Sequence, residues 1–154
     1  MTNVVLGLQG TVDYEVTWDS AILEQIADEY GIRYEELDPD VQIDDERSLV
    51  VALLAHLRDG SGGERFIASS EIAEKFARRF RTAITLGGTC IRAALAMRAL
   101  GIGSLLHLVS TDDHVRRLLP PDCAFISSAS GDTLDPHLIL QYAAGERVRV
   151  GGHV

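Results

Sequence analysis

The chain has 154 residues, of which 46% are hydrophobic and 24% are charged, a balance that predicts a single globular α/β domain. Its 23 acidic and 14 basic residues give a formal net charge of −9. Such a charge argues against a nucleic-acid or anionic-membrane partner, because both require clustered lysine and arginine. The densest basic cluster, over residues 75–81, is expected to complement the C-terminus of a helix instead.

The cysteines and the apolar runs predict a soluble protein in a reducing, cytoplasmic setting. Cys90 and Cys123 are too few and too far apart for a disulfide framework or a cysteine metal site. Residues 3–8 form a short apolar run without the basic region or cleavage site of a signal peptide. No apolar segment reaches the roughly 18–20 residues that a membrane span requires.

The first half of the chain predicts two strands followed by three helices. Residues 3–8 have the composition of a buried parallel strand, and Gly10 marks a bend after it. The alternation over residues 14–18 predicts a short, more exposed strand. Apolar residues at helical spacing, with capping residues before them, predict helices over about residues 19–31, 45–58 and 69–80.

Residues 82–101 are the stretch around which the chain is organised. A β-branched, apolar run leads into Gly87-Gly88, and an alanine-rich helix that ends at Gly101 follows. Two glycines at a strand-to-helix junction let another group approach the backbone closely, and they place free N–H groups at the start of a helix. A tight turn explains the glycine pair as well as a ligand does.

The second half of the chain continues the alternation of strands and helices. We expect strands over residues 104–109, 123–126 and 137–142, a short helix between the first two, and a hairpin partner at 147–150. This order favours an α/β fold with a mostly parallel sheet and helices on both faces. Ligands of such sheets bind at the carboxyl ends of the strands, where Asp13 and the glycine pair are expected.

Three polar features admit both a structural and a functional interpretation. Asp13 is either a turn residue that caps neighbouring N–H groups or a carboxylate that accepts hydrogen bonds from a polyol. His137 lies in an apolar strand and by spacing alone is better explained as a core histidine, although Gln141 shares its face. Asp132 follows Gly131 without a helical run, so a polar loop is the better interpretation there.

Four segments, in this order, resemble the ribokinase-like sugar kinases and, within them, the ADP-dependent glucokinases and phosphofructokinases. They are LGLQGTVD at residues 6–13, LVVALLAHLRDG at 49–60, LGGT at 86–89 and DPHLILQY at 135–142. The resemblance covers most of the chain. It implies the N-terminal portion of a ribokinase-like (Rossmann-like) α/β domain over residues 1–154, incomplete, with residues 14–80 including elements of a lid or small domain.

The resemblance also implies a sugar site. Asp13 would hold the sugar hydroxyls, Gly87 and Gly88 would contact the sugar through their backbone, and His137 would line the same pocket. Further polar residues of these motifs complete the set that we expect to contact substrate: Gln9, Thr11, Thr89 and Gln141.

The activity implied is phosphoryl transfer from a nucleoside diphosphate to a hydroxyl of a sugar or sugar phosphate in carbohydrate metabolism, as in glycolysis. ADP would be the nucleotide, and Mg²⁺ would bridge its phosphates in the complete enzyme. The G-x-G-D motif that carries the anion hole and catalytic Asp in this family does not occur in the 154 residues. We therefore expect this chain to carry the sugar-binding part and to be inactive alone.

Two alternatives to a kinase part remain open from sequence. One is a non-catalytic sugar-binding or regulatory module that lacks the nucleotide site. The other is an unrelated α/β domain whose glycines are structural. Self-association through an exposed sheet edge is a further expectation.

Overall fold

The structure is a computed structural model that describes residues 4–8 and 10–154. Its strands are Val5–Leu8 (β1), Thr11–Val16 (β2), Thr82–Gly87 (β3), Leu105–Leu108 (β4), Ala124–Ser127 (β5) and Pro136–Leu140 (β6). Its helices are Ser20–Glu29 (α1), Glu46–Arg58 (α2), Ser70–Ala77 (α3), Thr89–Ala99 (α4) and Asp113–Leu118 (α5), with a 3-10 turn at Tyr34–Glu36. None of the described helices is long and apolar enough to cross a membrane.

The chain divides into two compact units. The first contains Met1–Glu15 and Ala83–Ile139, and the second contains Val16–Thr82 and Leu140–Val154. The chain therefore passes from one unit to the other within β2, at the start of β3 and at the end of β6.

The first unit contains a three-stranded parallel sheet in the order β1-β4-β5. Leu106 and Leu108 of β4 are fully buried on the face that alternation assigns to them, and α4 packs against β1 and β4. On the opposite face, Val5 and Ile126 are 67% and 51% exposed. Parallel sheets are normally covered on both faces, so the layer formed by this chain is incomplete.

A second sheet has the strand order β3-β2-β6. Its strand β2 corrects the sequence prediction, which began the strand at residue 14 and left open whether Asp13, just before it, was a turn residue. The strand begins at Thr11, and Asp13 is its third residue. Val12, Tyr14 and Val16 are buried, so the two-residue alternation starts earlier than expected and places Asp13 on the opposite face of the strand.

Helices α1, α2 and α3 build the core of the second unit. Helix α2 packs against both of the others, and Leu23, Ile26, Val50 and Phe76 are almost completely removed from solvent. The predicted caps are confirmed for α1 and α2: the carboxylate of Asp19 accepts hydrogen bonds from the first N–H groups of α1, and that of Asp45 accepts one from the Ser48 N–H. The side chain of Ser69, the residue before α3, makes no capping hydrogen bond.

A buried carboxylate at the start of α2 contacts two of the basic residues that the sequence assigned to a helix end. Glu46 has a side chain that is 1% exposed, and it accepts hydrogen bonds from Tyr30 at 2.5 Å and from Arg79 at 2.8 Å. Lys75 approaches it at 2.9 Å. Burial alone would raise the pKa of Glu46, but the hydrogen bonds from Tyr30, Lys75 and Arg79 outweigh it and hold the pKa below its ordinary value. The cluster thus fastens α1, α2 and α3 together.

The predicted hairpin partner at residues 147–150 is wrong. The segment after β6 forms no strand, and the N–H of Arg149 donates to the carboxylate of Glu24 in α1 at 2.9 Å. Val150 pairs in a single antiparallel bridge with His153. The backbone N–H of Arg149 is thus bonded to a side chain from a helix distant in sequence. No local sequence pattern reveals such a bond.

Candidate sugar site

The centre of the candidate site is the carboxylate of Asp13 in β2. The residue is 4% exposed, and Thr11 donates a hydrogen bond from its hydroxyl to Oδ1 at 2.8 Å. Thr11 and Asp13 are two residues apart on the same strand and therefore face the same way. Burial of a carboxylate is costly unless hydrogen bonds compensate it, so a carboxylate kept at this position is a candidate for function.

Gly87, the last residue of β3, lies directly against this carboxylate. A Cβ atom added at Gly87 would stand 2.0 Å from Oδ2 of Asp13 and 2.6 Å from Cγ and Oδ1. No side chain fits in that space unless the Asp13 carboxylate moves away. The glycine that sequence analysis could explain equally by a turn is therefore required by the close approach of the Asp13 side chain to the β3 backbone.

Gly88 makes the turn from β3 into α4. Its backbone angles, φ 86° and ψ 146°, belong to a region that only glycine occupies readily, and it is the N-cap residue of the helix. Thr89 is the first residue of α4 and is exposed. The junction thus places the first N–H groups of an 11-residue helix next to the glycine that contacts Asp13.

Two further side chains approach the Asp13 carboxylate at distances longer than a hydrogen bond. Nδ1 of His137, on β6, lies 3.8 Å from Oδ1, and a guanidinium nitrogen of Arg92, on α4, lies 3.9 Å from Oδ2. Both side chains are largely solvent-accessible, at 53% for His137 and 69% for Arg92. His137 is therefore not the core histidine that its spacing favoured; its imidazole borders the carboxylate.

The polar face of β2 extends beyond Asp13. Glu15 is two residues further along the strand, and its carboxylate accepts a hydrogen bond from the Thr85 hydroxyl of β3 at 2.7 Å. The sequence motifs did not predict Glu15, Thr85 or Arg92 as residues of this site. The alternation of Thr11, Asp13 and Glu15 with apolar residues is the signal that would have found Glu15; the positions of Thr85 and Arg92 depend on how β3 and α4 fold.

For two other residues predicted from the sequence, the described part of the chain shows no contact with the Asp13 carboxylate. Gln141 is exposed just after β6, in the second unit, and Gln9 lies outside the described residues. In the loop after β5, Asp132 forms an ion pair with Arg116, which confirms that this Gly-Asp pair belongs to a polar loop.

The described residues do not form a metal site. Within residues 4–8 and 10–154, no group of three or more His, Cys, Asp or Glu side chains is arranged to hold a metal ion. The Mg²⁺ expected for the complete enzyme has no carboxylate cluster here to bind it, so no chemical step of this chain is assigned to the metal.

A family model described as the ADP-specific phosphofructokinase/glucokinase conserved region matches residues 2–154. Among solved structures, the chain is similar to a phosphofructokinase from Pyrococcus horikoshii OT3 with AMP, with a TM-score of 0.70 and 18% identity. It is also similar to a hypothetical ADP-dependent phosphofructokinase from the same organism, with a TM-score of 0.73 and 16% identity. No curated protein matches the chain significantly in sequence.

These alignments cover nearly all of this chain but a smaller part of the solved structures. They span 99% and 97% of this chain, and 39% and 38% of the two solved chains. At such identities the similarity establishes the fold alone. The ribokinase-like α/β fold and the family resemblance stated from sequence are confirmed.

Proposed function

The chain belongs to the family of ADP-specific phosphofructokinases and glucokinases, and we propose that it forms the sugar-binding part of such a kinase. The complete activity is transfer of a phosphoryl group from a nucleoside diphosphate to a hydroxyl of a sugar or sugar phosphate. The observation that supports this most directly is the buried carboxylate of Asp13 held against the Gly87 backbone.

The geometry suits a hydroxyl-bearing ligand. Thr11 uses one lone pair of Asp13 Oδ1, and a carboxylate offers about four acceptor sites in total, so acceptor capacity remains for sugar hydroxyls. Hydrogen bonds to an ionised carboxylate are roughly twice as strong as neutral ones. The imidazole of His137, whose Nδ1 lies 3.8 Å from Oδ1, adds a second polar group beside the same atom.

In this proposal the chain positions the sugar, and the reacting groups come from elsewhere. Phosphoryl transfer depends on positioning and on stabilisation of the transferring group, which requires a base and an anion hole. Asp132 does not serve as that base, because it lies in a loop and pairs with Arg116. ADP and Mg²⁺ are therefore partners of the complete enzyme. We further propose that the second unit, which overlaps residues 14–80, is the small domain of that enzyme.

Calorimetry of the full chain with glucose, fructose 6-phosphate and ADP tests the proposal. We expect binding of a sugar and no binding of ADP, and we expect Asp13→Asn to weaken sugar binding by about 10- to 150-fold, the equivalent of about 1.5–3 kcal/mol for hydrogen bonds to a charged group. Asp122→Asn is the matched control, since Asp122 is an exposed carboxylate that pairs with Arg98.

Three outcomes separate the functional classes. Sugar affinity that is unchanged in Asp13→Asn, or lost equally in the Asp122 control, contradicts the proposal. In the second outcome, the chain binds a sugar but not ADP, and phosphoryl transfer stays absent when a protein that carries the base and the anion hole is added. That combination favours a non-catalytic sugar-binding module. Absence of any sugar binding by the folded wild-type chain favours a structural role for the glycines.

A further inference from the structure

We propose that Arg92 selects a phosphorylated sugar over a neutral one by binding its phosphate group. The inference rests on the proposed function, because it assigns a role to a side chain at the rim of the Asp13 site. Neither the sequence motifs nor the family assignment identifies this residue.

The guanidinium of Arg92 lies close to the Asp13 carboxylate and is open to solvent. Arg92 is the fourth residue of α4, one turn after Gly88, and its nearer nitrogen lies 3.9 Å from Oδ2 of Asp13. At this distance the guanidinium and the carboxylate attract each other electrostatically, but they do not form a hydrogen bond. The side chain is 69% exposed, so a ligand held by Asp13 can meet the guanidinium without displacing it from a packed position.

Charge also bears on the choice of ligand. A phosphate that approaches Asp13 is repelled by its carboxylate, because two negative charges at a site shielded from water repel each other more strongly than they do in bulk water. The whole chain is also anionic, with a net charge of −9. An anionic substrate therefore needs a cation beside Asp13, and Arg92 supplies one.

The carboxylate nearest to Arg92 is that of Asp13, at 3.9 Å, and the first turn of α4 adds no acidic residue. This ion pair is too long for a hydrogen bond, so the N–H groups of the guanidinium are not bonded to Asp13. Arg98 on the same helix is different, since its Nε donates to both carboxylate oxygens of Asp122 at 2.8 Å. Arginine also matches phosphate geometry with two parallel N–H donors, whereas a neutral sugar has no charge for it to bind.

Calorimetry of the full chain with fructose and fructose 6-phosphate tests the inference. The ratio of the two affinities is compared between variants, because the ring forms of the two ligands in water differ but are the same for every variant. We expect the wild-type chain to bind fructose 6-phosphate at least about 10-fold more tightly than fructose. In Arg92→Gln that preference is lost, and the affinity for fructose changes much less than the affinity for fructose 6-phosphate. Arg92→Lys keeps part of the preference, because it keeps the charge but not the paired donors.

Arg98→Gln is the matched control, since it removes the same charge from the same helix and should keep the preference. Inorganic phosphate should bind far more weakly than fructose 6-phosphate; equal affinity would mean that the sugar is not recognised and would overturn the inference. Equal affinities of the wild-type chain for the two sugars, or equal effects of Arg92→Gln and Arg98→Gln, would also overturn it.

The inference and the proposed function fail in different ways. If fructose binds as tightly as its phosphate and Asp13→Asn weakens the binding of both, the role of Arg92 is refuted and the sugar site stands. If the folded chain binds neither ligand, both proposals are refuted.

Discussion

Replacement of Gly87 by alanine tests the geometry on which the site depends. The added Cβ would lie 2.0 Å from Oδ2 of Asp13, whereas 3.4 Å is an ordinary contact distance, so the carboxylate must retreat by about 1.4 Å. A movement of that size is enough to break the 2.8 Å hydrogen bond from Thr11. Asp13 is buried, which leaves it little room to move.

The expected cost follows from the overpacking of a buried site. Forcing an extra carbon into a packed region costs about 1–3 kcal/mol, and 1 kcal/mol lowers the Tm of a chain of this size by about 2–4 °C. We therefore expect the Tm of Gly87→Ala to fall by about 2–12 °C. Sugar affinity should fall at least about 10-fold, since the displaced carboxylate loses its charge-assisted hydrogen bonds to the ligand.

Thermal denaturation and sugar calorimetry measure these effects in four variants: Gly87→Ala, Asp13→Ala, the double variant of these two, and Gly131→Ala. Gly131→Ala is the matched control, because nothing lies within 4 Å of a Cβ added there. The double variant Asp13→Ala/Gly87→Ala removes the side chain that the new methyl group meets. We expect its loss of stability to be smaller than the summed losses of Asp13→Ala and Gly87→Ala by about 1 kcal/mol or more. Sugar binding should not be restored in the double variant.

Two results would refute the reasoning. If Gly87→Ala matches Gly131→Ala in Tm and in sugar affinity, the Asp13 carboxylate does not lie against the β3 backbone. If the single variants add without coupling, Gly87 acts through its own backbone freedom and not through Asp13.

Two further predictions concern Thr11 and Glu46. Thr11→Val removes the 2.8 Å hydrogen bond to Asp13 and should weaken sugar binding about 10-fold in calorimetry, whereas Thr11→Ser should keep most of it. Glu46→Gln should lower the free energy of unfolding in urea by about 3 kcal/mol, the lower end of the range for breaking a buried pair, because Arg79 keeps its 2.6 Å pair with Glu29. Because the pKa of Glu46 is lowered in the folded state, its stabilisation is complete above the unfolded pKa and is lost as the pH falls through the folded pKa. A urea series from pH 7 to pH 3 should therefore show a smaller loss of stability in Glu46→Gln than in the wild type, and parallel losses would contradict the Glu46 cluster.

Much of the fold follows from local pattern. The apolar runs of β1, β4 and β5 have the composition of parallel strands, and Gly101 lies just after α4 with a left-handed φ of 73°. The helix starts at Asp19 and Asp45 follow from capping chemistry, which acts within a few residues of the chain. These features depend on neighbours in sequence, so the sequence is sufficient to locate them.

Other features required the tertiary structure because their partners are distant in sequence. Two of the basic residues expected at a helix end, Lys75 and Arg79, contact buried Glu46, which lies 33 residues before Arg79 in the chain. The hairpin expected at residues 147–150 is replaced by a bond from the Arg149 N–H to Glu24. In both places a long-range contact outweighs a local preference.

The candidate site shows the same division. The sequence by itself predicted Asp13, Gly87, Gly88 and His137 as site residues, through the order of motifs that resemble a sugar-kinase family, because motif order is a property of the chain. Only the tertiary structure decided that Gly87 must be glycine, since the Asp13 carboxylate occupies the place of its Cβ atom. It alone brought Arg92 to 3.9 Å from that carboxylate, because the pairing of β2 with β3 and the path of α4 set which side chains surround a buried charge.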